Sequence, residues 1–172
     1  MEGLALQLTL RGLNIQWPFS QLLITGRKTA EVWSYALGHG NIAHPDEGLW
    51  VIETPGPSAS ADANAVVAGV SIADRPSKAQ IIGTATFDRS EPPYEDVAAF
   101  RADEERHCIR EGGAKDWSGE GERHAWHVSM ARPLAKPIPT SSNKTLTGIG
   151  RPAAFKITFA RSRVSAERHA KN

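Results

Sequence analysis

The sequence predicts an α+β fold, a small mixed β-barrel with two or three peripheral helices. Short stretches rich in β-branched and aromatic residues recur along the chain, as is typical of strands. Two segments between them have helical character and end at glycines. The chain has 172 residues, of which 40% are hydrophobic and 23% charged, an ordinary composition for one globular domain with a real core.

The first predicted elements are a strand over residues 11–16 and a short helix over residues 19–25. Pro18 suits the helix start, because its missing N–H would have no partner there. Gly26 suits the helix end, where a left-handed residue is common. A second strand is predicted over residues 28–35, which include β-branched and aromatic side chains.

The middle of the chain alternates loops and strands. Residues 38–48 form a predicted loop rich in Gly, His, Asn, Pro and Asp, and the strand Gly48–Thr54 is apolar enough to be central. The composition of residues 55–65, which are rich in Pro, Ser and Ala, predicts irregular structure. Residues 66–72 fit either a strand or a short helix, and residues 80–88 predict another strand.

The second half begins with a predicted helix over residues 94–111, with a break near Ala102. Acidic residues at its start and basic residues near its end complement the helix dipole. A strand is predicted over residues 125–131, followed by a segment punctuated by prolines. The last predicted strand covers residues 155–160.

We expect one domain over residues 1–160 and a flexible basic tail over residues 161–172. The net charge of +1 and the pI of about 8.0 do not by themselves indicate a nucleic-acid-binding domain, for which a pI above roughly 9 is common. The tail either binds along the phosphate backbone of a nucleic acid or is an ordinary solvated terminus. The C-terminal charges are Lys156, Arg161, Arg163, Arg168 and Lys171, against Glu167.

The composition excludes several classes of protein. No apolar run reaches the roughly 18 residues of a membrane helix, so we expect no membrane partner. The first residues lack the pattern of a signal peptide. Cys108 is the only cysteine, which excludes an internal disulfide and a thiolate-rich metal site. A cytoplasmic location is therefore the expectation.

Residues 13–54 carry a more specific pattern. Leu-Asn-Ile-Gln-Trp-Pro-Phe-Ser-Gln-Leu-Leu-Ile is followed by Thr-Gly-Arg-Lys-Thr-Ala-Glu and then by Gly-Leu-Trp-Val-Ile-Glu-Thr. This succession resembles the ASCH domain family of the PUA-like superfamily. Ile82-Gly83-Thr84-Ala85, residues 100–107 and Ala125-Trp126 fit the same pattern, so the resemblance covers about residues 13–150.

The resemblance implies a PUA-like β-barrel that binds RNA in a cleft beside the Gly-Arg-Lys-Thr-Ala-Glu turn. Relatives include RNA-modification modules, modified-base readers and a few enzymes. The expected function is therefore the binding of RNA or a nucleotide, with no cofactor.

The turn itself offers charged groups for such a ligand. Arg27 and Lys28 could hold a phosphate with help from backbone N–H groups. Glu31 could read a base edge or hold Lys28. In a regular strand Lys28 and Glu31 face opposite sides, so they meet only if the strand begins irregularly after Gly26. The alternative is an ordinary surface ion pair.

The tryptophans near the turn offer stacking surfaces. Trp17 and Trp33 are candidates to flank a base, at about 1–3 kcal/mol per stacked base. Ser20, on the short helix, could add a hydrogen bond. Trp50 and Trp126 are expected in the core.

Two departures from the family pattern narrow the chemistry. Several members carry an arginine at the position of Trp33, so this chain exchanges charge for stacking surface. The small acetylcytidine amidohydrolases that this stretch resembles use a lysine and a threonine nucleophile three residues later. Here Lys28 is followed by Glu31, which cannot act as a hydroxyl nucleophile, and Thr29 lies at the wrong offset. That activity is not expected.

Two other functions stay open. A metal-independent ribonuclease acting on single-stranded RNA would use Lys28, Glu31 and Tyr35 as catalytic residues, with His124 or His127 as further proton carriers. No spacing of histidine, cysteine or acidic residues supports a metal site. The modest net charge also suits a protein-interaction module with a protein partner.

Overall fold

The computed structural model describes residues 6–41, 43–140 and 154–159, with side chains for residues 8–40, 43–57 and 59–140. The predicted tail and the domain boundary at residue 160 lie outside the described residues. The helices and strands, in chain order, are β1 (Leu6–Gln16), α1 (Phe19–Ile24), β2 (Ala30–Trp33), β3 (Gly48–Thr54), α2 (Ser58–Ala68), β4 (Gln80–Ser90), α3 (Val97–Ala102), α4 (Glu104–His107), β5 (His124–Pro139) and β6 (Ala154–Phe159).

The strands form one six-stranded sheet in the order β2-β5-β4-β3-β1-β6. β1 and β3 are parallel, and the other neighbouring strands are antiparallel, so the sheet is mixed. The sheet curls into a half-barrel with a few short helices around it. The predicted α+β class, a mixed barrel-like sheet with peripheral helices, is confirmed, although the described residues form four α-helices and not two or three.

Strand β3 is central, as its apolar sequence predicts. Five consecutive residues, Leu49 to Glu53, are buried, because Leu49 and Val51 pack into one hydrophobic cluster while Trp50 and Ile52 pack into another. The main core gathers Leu13 of β1, Val51 of β3, Phe87 of β4 and Trp126 of β5, all fully buried. Core residues thus come from four neighbouring strands. The short helices pack over the part of the core that the sheet does not cover.

The prediction of irregular structure over residues 55–65 is wrong, since α2 runs over Ser58–Ala68. Alanine has the highest helix propensity of all residues, and it fills much of this segment. Gly69, with φ of 66°, ends the helix in the left-handed conformation. Ala61 and Ala65 lie about one turn apart and are fully buried against Trp17.

The proline-punctuated segment after residue 131 is also strand, because β5 continues to Pro139. Strand β2 pairs only with the first four residues of β5. Beyond them, one edge of β5 has no neighbour among the described strands, and proline is tolerated at such an edge because no ladder donor is required there. Gly83 of β4 pairs with this stretch at a position that has no room for a side chain. A Cβ atom added to Gly83 would lie 2.3 Å from the carbonyl oxygen of Arg132.

The predicted helix over residues 94–111 divides into α3 and α4, and the break predicted near Ala102 lies at Asp103. Asp96 caps α3 by accepting a hydrogen bond of 2.7 Å from the backbone N–H of Ala99. Cys108, with φ of 60°, ends α4. Within the part of the chain that the structure describes, no helix is both long and apolar enough to cross a membrane.

Candidate functional site

A cleft of about 510 Å³ lies where the end of β1, the start of β2 and the loop between α4 and β5 meet. Strand β1 contributes Gln16, β2 contributes Glu31 and Trp33, and the loop contributes Lys115 and Arg123. Sites for small molecules and cofactors range from roughly 300 to 1,000 Å³. The cleft is therefore large enough for one nucleotide-sized ligand.

Lys28 lies at the bottom of this cleft because the chain turns before β2 begins. Gly26, with φ of 78°, follows α1, and the backbone N–H of Lys28 donates to the carbonyl oxygen of Leu22 at 2.8 Å. The side chain is 1% exposed. Its ammonium group donates a hydrogen bond of 2.6 Å to the carbonyl oxygen of His107. Burial makes Lys28 an internal anchor rather than a surface cation.

Glu31 meets Lys28 across this irregular start. Its Oε2 atom lies 3.6 Å from the Lys28 Nζ atom, and 13% of the Glu31 side chain is exposed. The pair is therefore not an ordinary surface ion pair. Burial raises the pKa of the Glu31 carboxyl group above its ordinary value, and the charge of Lys28 offsets only part of that rise. The buried Oε2 atom has no hydrogen-bond partner among the described residues.

Trp33 forms the aromatic side of the cleft. It is half-buried, and its ring centroid lies 5.6 Å from that of Tyr35 and 5.5 Å from that of Trp126. The indole Nε1 atom is buried and has no hydrogen-bond acceptor within the described part of the chain. Glu31 and Trp33, which both line the cleft, therefore each hold one buried polar atom that makes no hydrogen bond with the described residues.

His107 fixes the carbonyl group that holds Lys28. Its fully buried ring stacks on Phe100 at 4.4 Å between centroids. Nδ1 accepts from the backbone N–H of Ile109 at 2.9 Å, so Nε2 carries the proton and donates to the carbonyl oxygen of Phe100 at 2.8 Å. Burial lowers the pKa of His107. The neutral ring is thus held from both sides, and it cannot pair with the adjacent Cys108.

Three residues predicted to bind nucleic acid lie outside the cleft. Trp17 is fully buried against Ala61 and Ala65 of α2, so it cannot flank a base. Ser20 is fully buried as well, and its hydroxyl group donates to Glu53 at 2.6 Å. Arg27 is exposed but lines separate depressions on the surface, because the turn after α1 directs it away from Lys28.

The remaining catalytic candidates also lie elsewhere. Tyr35 packs on Trp33 without lining the cleft, and burial raises its pKa to about 12. His124 lies 3.1 Å from Glu122, and His127 lies 2.7 Å from Asp88. Neither histidine lines the cleft. In the described ranges, no three His, Cys, Asp or Glu side chains are grouped so that they could hold a metal ion.

Sequence reasoning missed the residues that close the cleft from above. Lys115 and Arg123 lie in the loop that follows α4, where the glycines at 112 and 113 indicated only the end of a helix. Asn14 and Gln16 were missed on β1. They alternate with the buried Leu13 and Ile15, so strand periodicity was the signal that could have indicated them.

Comparison with known proteins gives structural neighbours only. No protein-family model matches the chain, and no curated protein matches it. The solved structure of ASCH from Zymomonas mobilis is similar, with a TM-score of 0.48, 14% identity and coverage of 76% of this chain and 72% of that one. A tyrosine-to-phenylalanine variant of ASCH from Zymomonas mobilis gives a TM-score of 0.50 and 13% identity, over 87% of this chain and 88% of that one. At these identities the likeness concerns the fold.

Proposed function

We propose that this chain, whose fold is ASCH-like, binds a nucleotide of single-stranded RNA in the cleft beside the Gly-Arg-Lys-Thr-Ala-Glu turn. The observation that carries the proposal is the buried carboxyl group of Glu31. It lies at the bottom of the cleft, 3.6 Å from Lys28, with an oxygen that has no hydrogen-bond partner among the described residues.

Unpaired polar atoms favour a polar ligand. A buried donor or acceptor without a partner costs about 1–3 kcal/mol, and most such groups in proteins are satisfied. Glu31 has an acceptor and Trp33 a donor that make no hydrogen bond with the described residues, and both residues line one cleft. The edge of an unpaired base carries both N–H donors and acceptors, and its flat faces stack on aromatic rings. A base therefore matches both the polar atoms and the aromatic wall.

Binding is better supported than cleavage. Metal-free cleavage of RNA needs a general base and a general acid within reach of the same phosphate. Of the groups considered for that chemistry, Lys28 and Glu31 line the cleft, while Tyr35, His124 and His127 do not. The Lys28 ammonium group is bound to the carbonyl oxygen of His107. Of the residues predicted to act in a ribonuclease, only the carboxyl group of Glu31 is thus available at the cleft to carry a proton, and a second proton carrier is missing.

The test compares Glu31→Gln with Glu95→Gln. Both remove one negative charge with little change in shape, but Glu95 is exposed and does not line the cleft. Fluorescence anisotropy with a labelled single-stranded RNA of about 12 nucleotides measures affinity. We expect binding by the wild type, an approximately tenfold loss in Glu31→Gln, and wild-type affinity in Glu95→Gln.

Two results would contradict the proposal. One is a wild-type protein that does not bind the RNA at low salt. The other is equal affinity in Glu31→Gln and Glu95→Gln, which would place the RNA away from the cleft. Incubation of the same RNA with the protein in EDTA shows whether it stays intact, as we expect for a binding protein.

A further inference from the structure

A nucleotide carries a phosphate, and the cations next to the turn are poorly placed to bind it. Lys28 is 1% exposed, and its ammonium group is bound to the carbonyl oxygen of His107. Arg27 lines separate depressions on the surface. A phosphate that follows a base in the cleft therefore needs cations from another part of the chain.

The loop between α4 and β5, called the cleft loop here and covering residues 108–123, lies over the cleft. Two buried side chains attach it to the core. Ile109 is 9% exposed and Trp117 is 5% exposed. The Trp117 ring meets Phe100 edge to face at 5.9 Å, and its Nε1 atom donates to the carbonyl oxygen of Glu120 at 2.9 Å. Lys115 lies between these two attachments and is therefore held at the cleft.

The acidic residue of the cleft loop that lines the cleft is already neutralised. Asp116 accepts hydrogen bonds of 2.8 Å from the Arg101 guanidinium group and from the backbone N–H of Gly112. These bonds also lower the pKa of Asp116. A carboxylate that is paired in this way repels an incoming phosphate weakly.

Two cations at the cleft have free donors. Lys115 is exposed, and among the described residues its ammonium group forms no salt bridge or hydrogen bond, although its charge acts on Glu31. One N–H of the Arg123 guanidinium group donates to the carbonyl oxygen of Glu122 at 2.8 Å, which leaves most of its five donors open. Both side chains line the same cleft as Glu31 and Trp33. Positive charge from the cleft loop therefore lies at the same cleft as the polar side chains proposed to bind the base.

We infer that Lys115 and Arg123 of the cleft loop bind a phosphate of the RNA backbone while the attached base occupies the cleft against Glu31 and Trp33. The inference rests on the proposed function, since it concerns the same cleft. Arginine pairs with phosphate through two parallel N–H donors, and lysine adds a point charge. The ligand is thus a nucleotide unit with its phosphate at the cleft loop and its base at the β2 side.

The salt dependence of RNA binding tests this assignment. Losing one phosphate contact flattens the plot of log affinity against log salt by about 0.7 for single strands. We expect this change in Lys115→Ala and in Arg123→Ala, together with a loss of affinity at low salt. Lys136→Ala and Arg132→Ala are matched controls, because both residues are exposed on β5 and neither lines the cleft. Both controls should keep the wild-type slope.

The outcomes separate the two claims. If the wild type binds RNA and Glu31→Gln weakens binding, but Lys115→Ala and Arg123→Ala behave like their controls, the phosphate assignment is wrong and the function stands. A flattened slope in Arg27→Ala, with normal slopes in the cleft-loop variants, would place the RNA backbone at a depression lined by Arg27 and would also overturn the phosphate assignment. A wild type that binds no RNA overturns both. Circular dichroism melting of each variant confirms that the fold is intact.

Discussion

The ammonium group of Lys28 donates a hydrogen bond of 2.6 Å to the carbonyl oxygen of His107, which lies at the end of α4. The same ammonium group lies 3.6 Å from Glu31. One buried cation therefore ties the start of β2 to the helix that precedes the cleft loop. Lys28 and Glu31 both line the cleft, so this pair contributes to the charge at its bottom.

Replacing Lys28 should unfold the protein more readily. Lys28→Met fills a similar volume but leaves the His107 carbonyl group without its donor and Glu31 without its cation. Breaking a buried pair in this way costs about 3–5 kcal/mol. Urea denaturation followed by tryptophan fluorescence measures the free energy of unfolding. Lys136→Met, at an exposed site, should change it by less than about 0.5 kcal/mol.

The double variant Lys28→Met with Glu31→Gln checks the cause. It should be more stable than Lys28→Met alone, because the buried carboxylate that lost its cation is gone. Equal stability of the two variants would show that the carboxylate is not part of the loss.

The pKa of Glu31 predicts a pH dependence of stability. Burial raises this pKa in the folded protein above its ordinary value, so the folded state binds a proton more tightly than the unfolded state does. The resulting stabilisation is full below the unfolded pKa and is lost as pH rises through the folded pKa. The glutamine in Glu31→Gln does not titrate, so the stability of that variant does not fall with pH for this reason.

Denaturation of wild type and Glu31→Gln across a pH series isolates the effect, since all other groups titrate in both. The free energy of unfolding of the wild type, relative to that of Glu31→Gln, should fall as pH rises above about 4. A difference that rises with pH would mean that Lys28 and Lys115, the cations near Glu31, outweigh burial.

Trp17 should matter for stability and not for RNA binding. The ring is fully buried against Ala61 and Ala65 of α2, so Trp17→Ala should cost about 3–5 kcal/mol. Trp17→Phe, which keeps an aromatic ring, gives a folded protein in which RNA affinity can be measured. We expect affinity within about twofold of wild type, against a clear loss in Trp33→Ala. Reduced affinity in Trp17→Phe would restore Trp17 as a binding residue.

The sequence predicted those parts of the fold in which local pattern and tertiary environment agree. The apolar run of β3 is buried on both faces, and the break predicted near Ala102 lies at Asp103, between α3 and α4. Helix α2 was missed because prolines and serines suggested a loop, although alanine, which has a high helix propensity, fills much of the segment. Two of these alanines, Ala61 and Ala65, pack on Trp17. Misplacing Trp17 followed from missing that helix.

The site was predictable only near the turn. Lys28 and Glu31 are close in sequence, so an irregular strand start was enough to bring them together. Lys115 and Arg123 reach the same cleft through the course of a long loop, which depends on contacts such as Trp117 with Phe100. Contacts between residues far apart in the chain leave no periodic signal in a single sequence.

The buried carboxylate of Glu53 gives the last prediction. Its Oε2 atom accepts from Ser20 at 2.6 Å and from Gln21 at 2.8 Å, and its Oε1 atom accepts from Gln80 at 3.0 Å. Helix α1 is thereby fixed to β3 and β4, just before the turn that carries Lys28. Ser20 acts in this structural network, not at the ligand, because its side chain is fully buried and does not line the cleft.

Ser20→Ala should therefore lower the free energy of unfolding by about 1–3 kcal/mol, since a buried charged acceptor loses one donor. The exposed Ser118→Ala is the matched control and should have little effect. RNA affinity of folded Ser20→Ala should stay at the wild-type value. A loss of affinity without a loss of stability would mean that the Ser20 hydroxyl group leaves Glu53 and contacts the RNA, and the orientation of α1 would then have to change on binding.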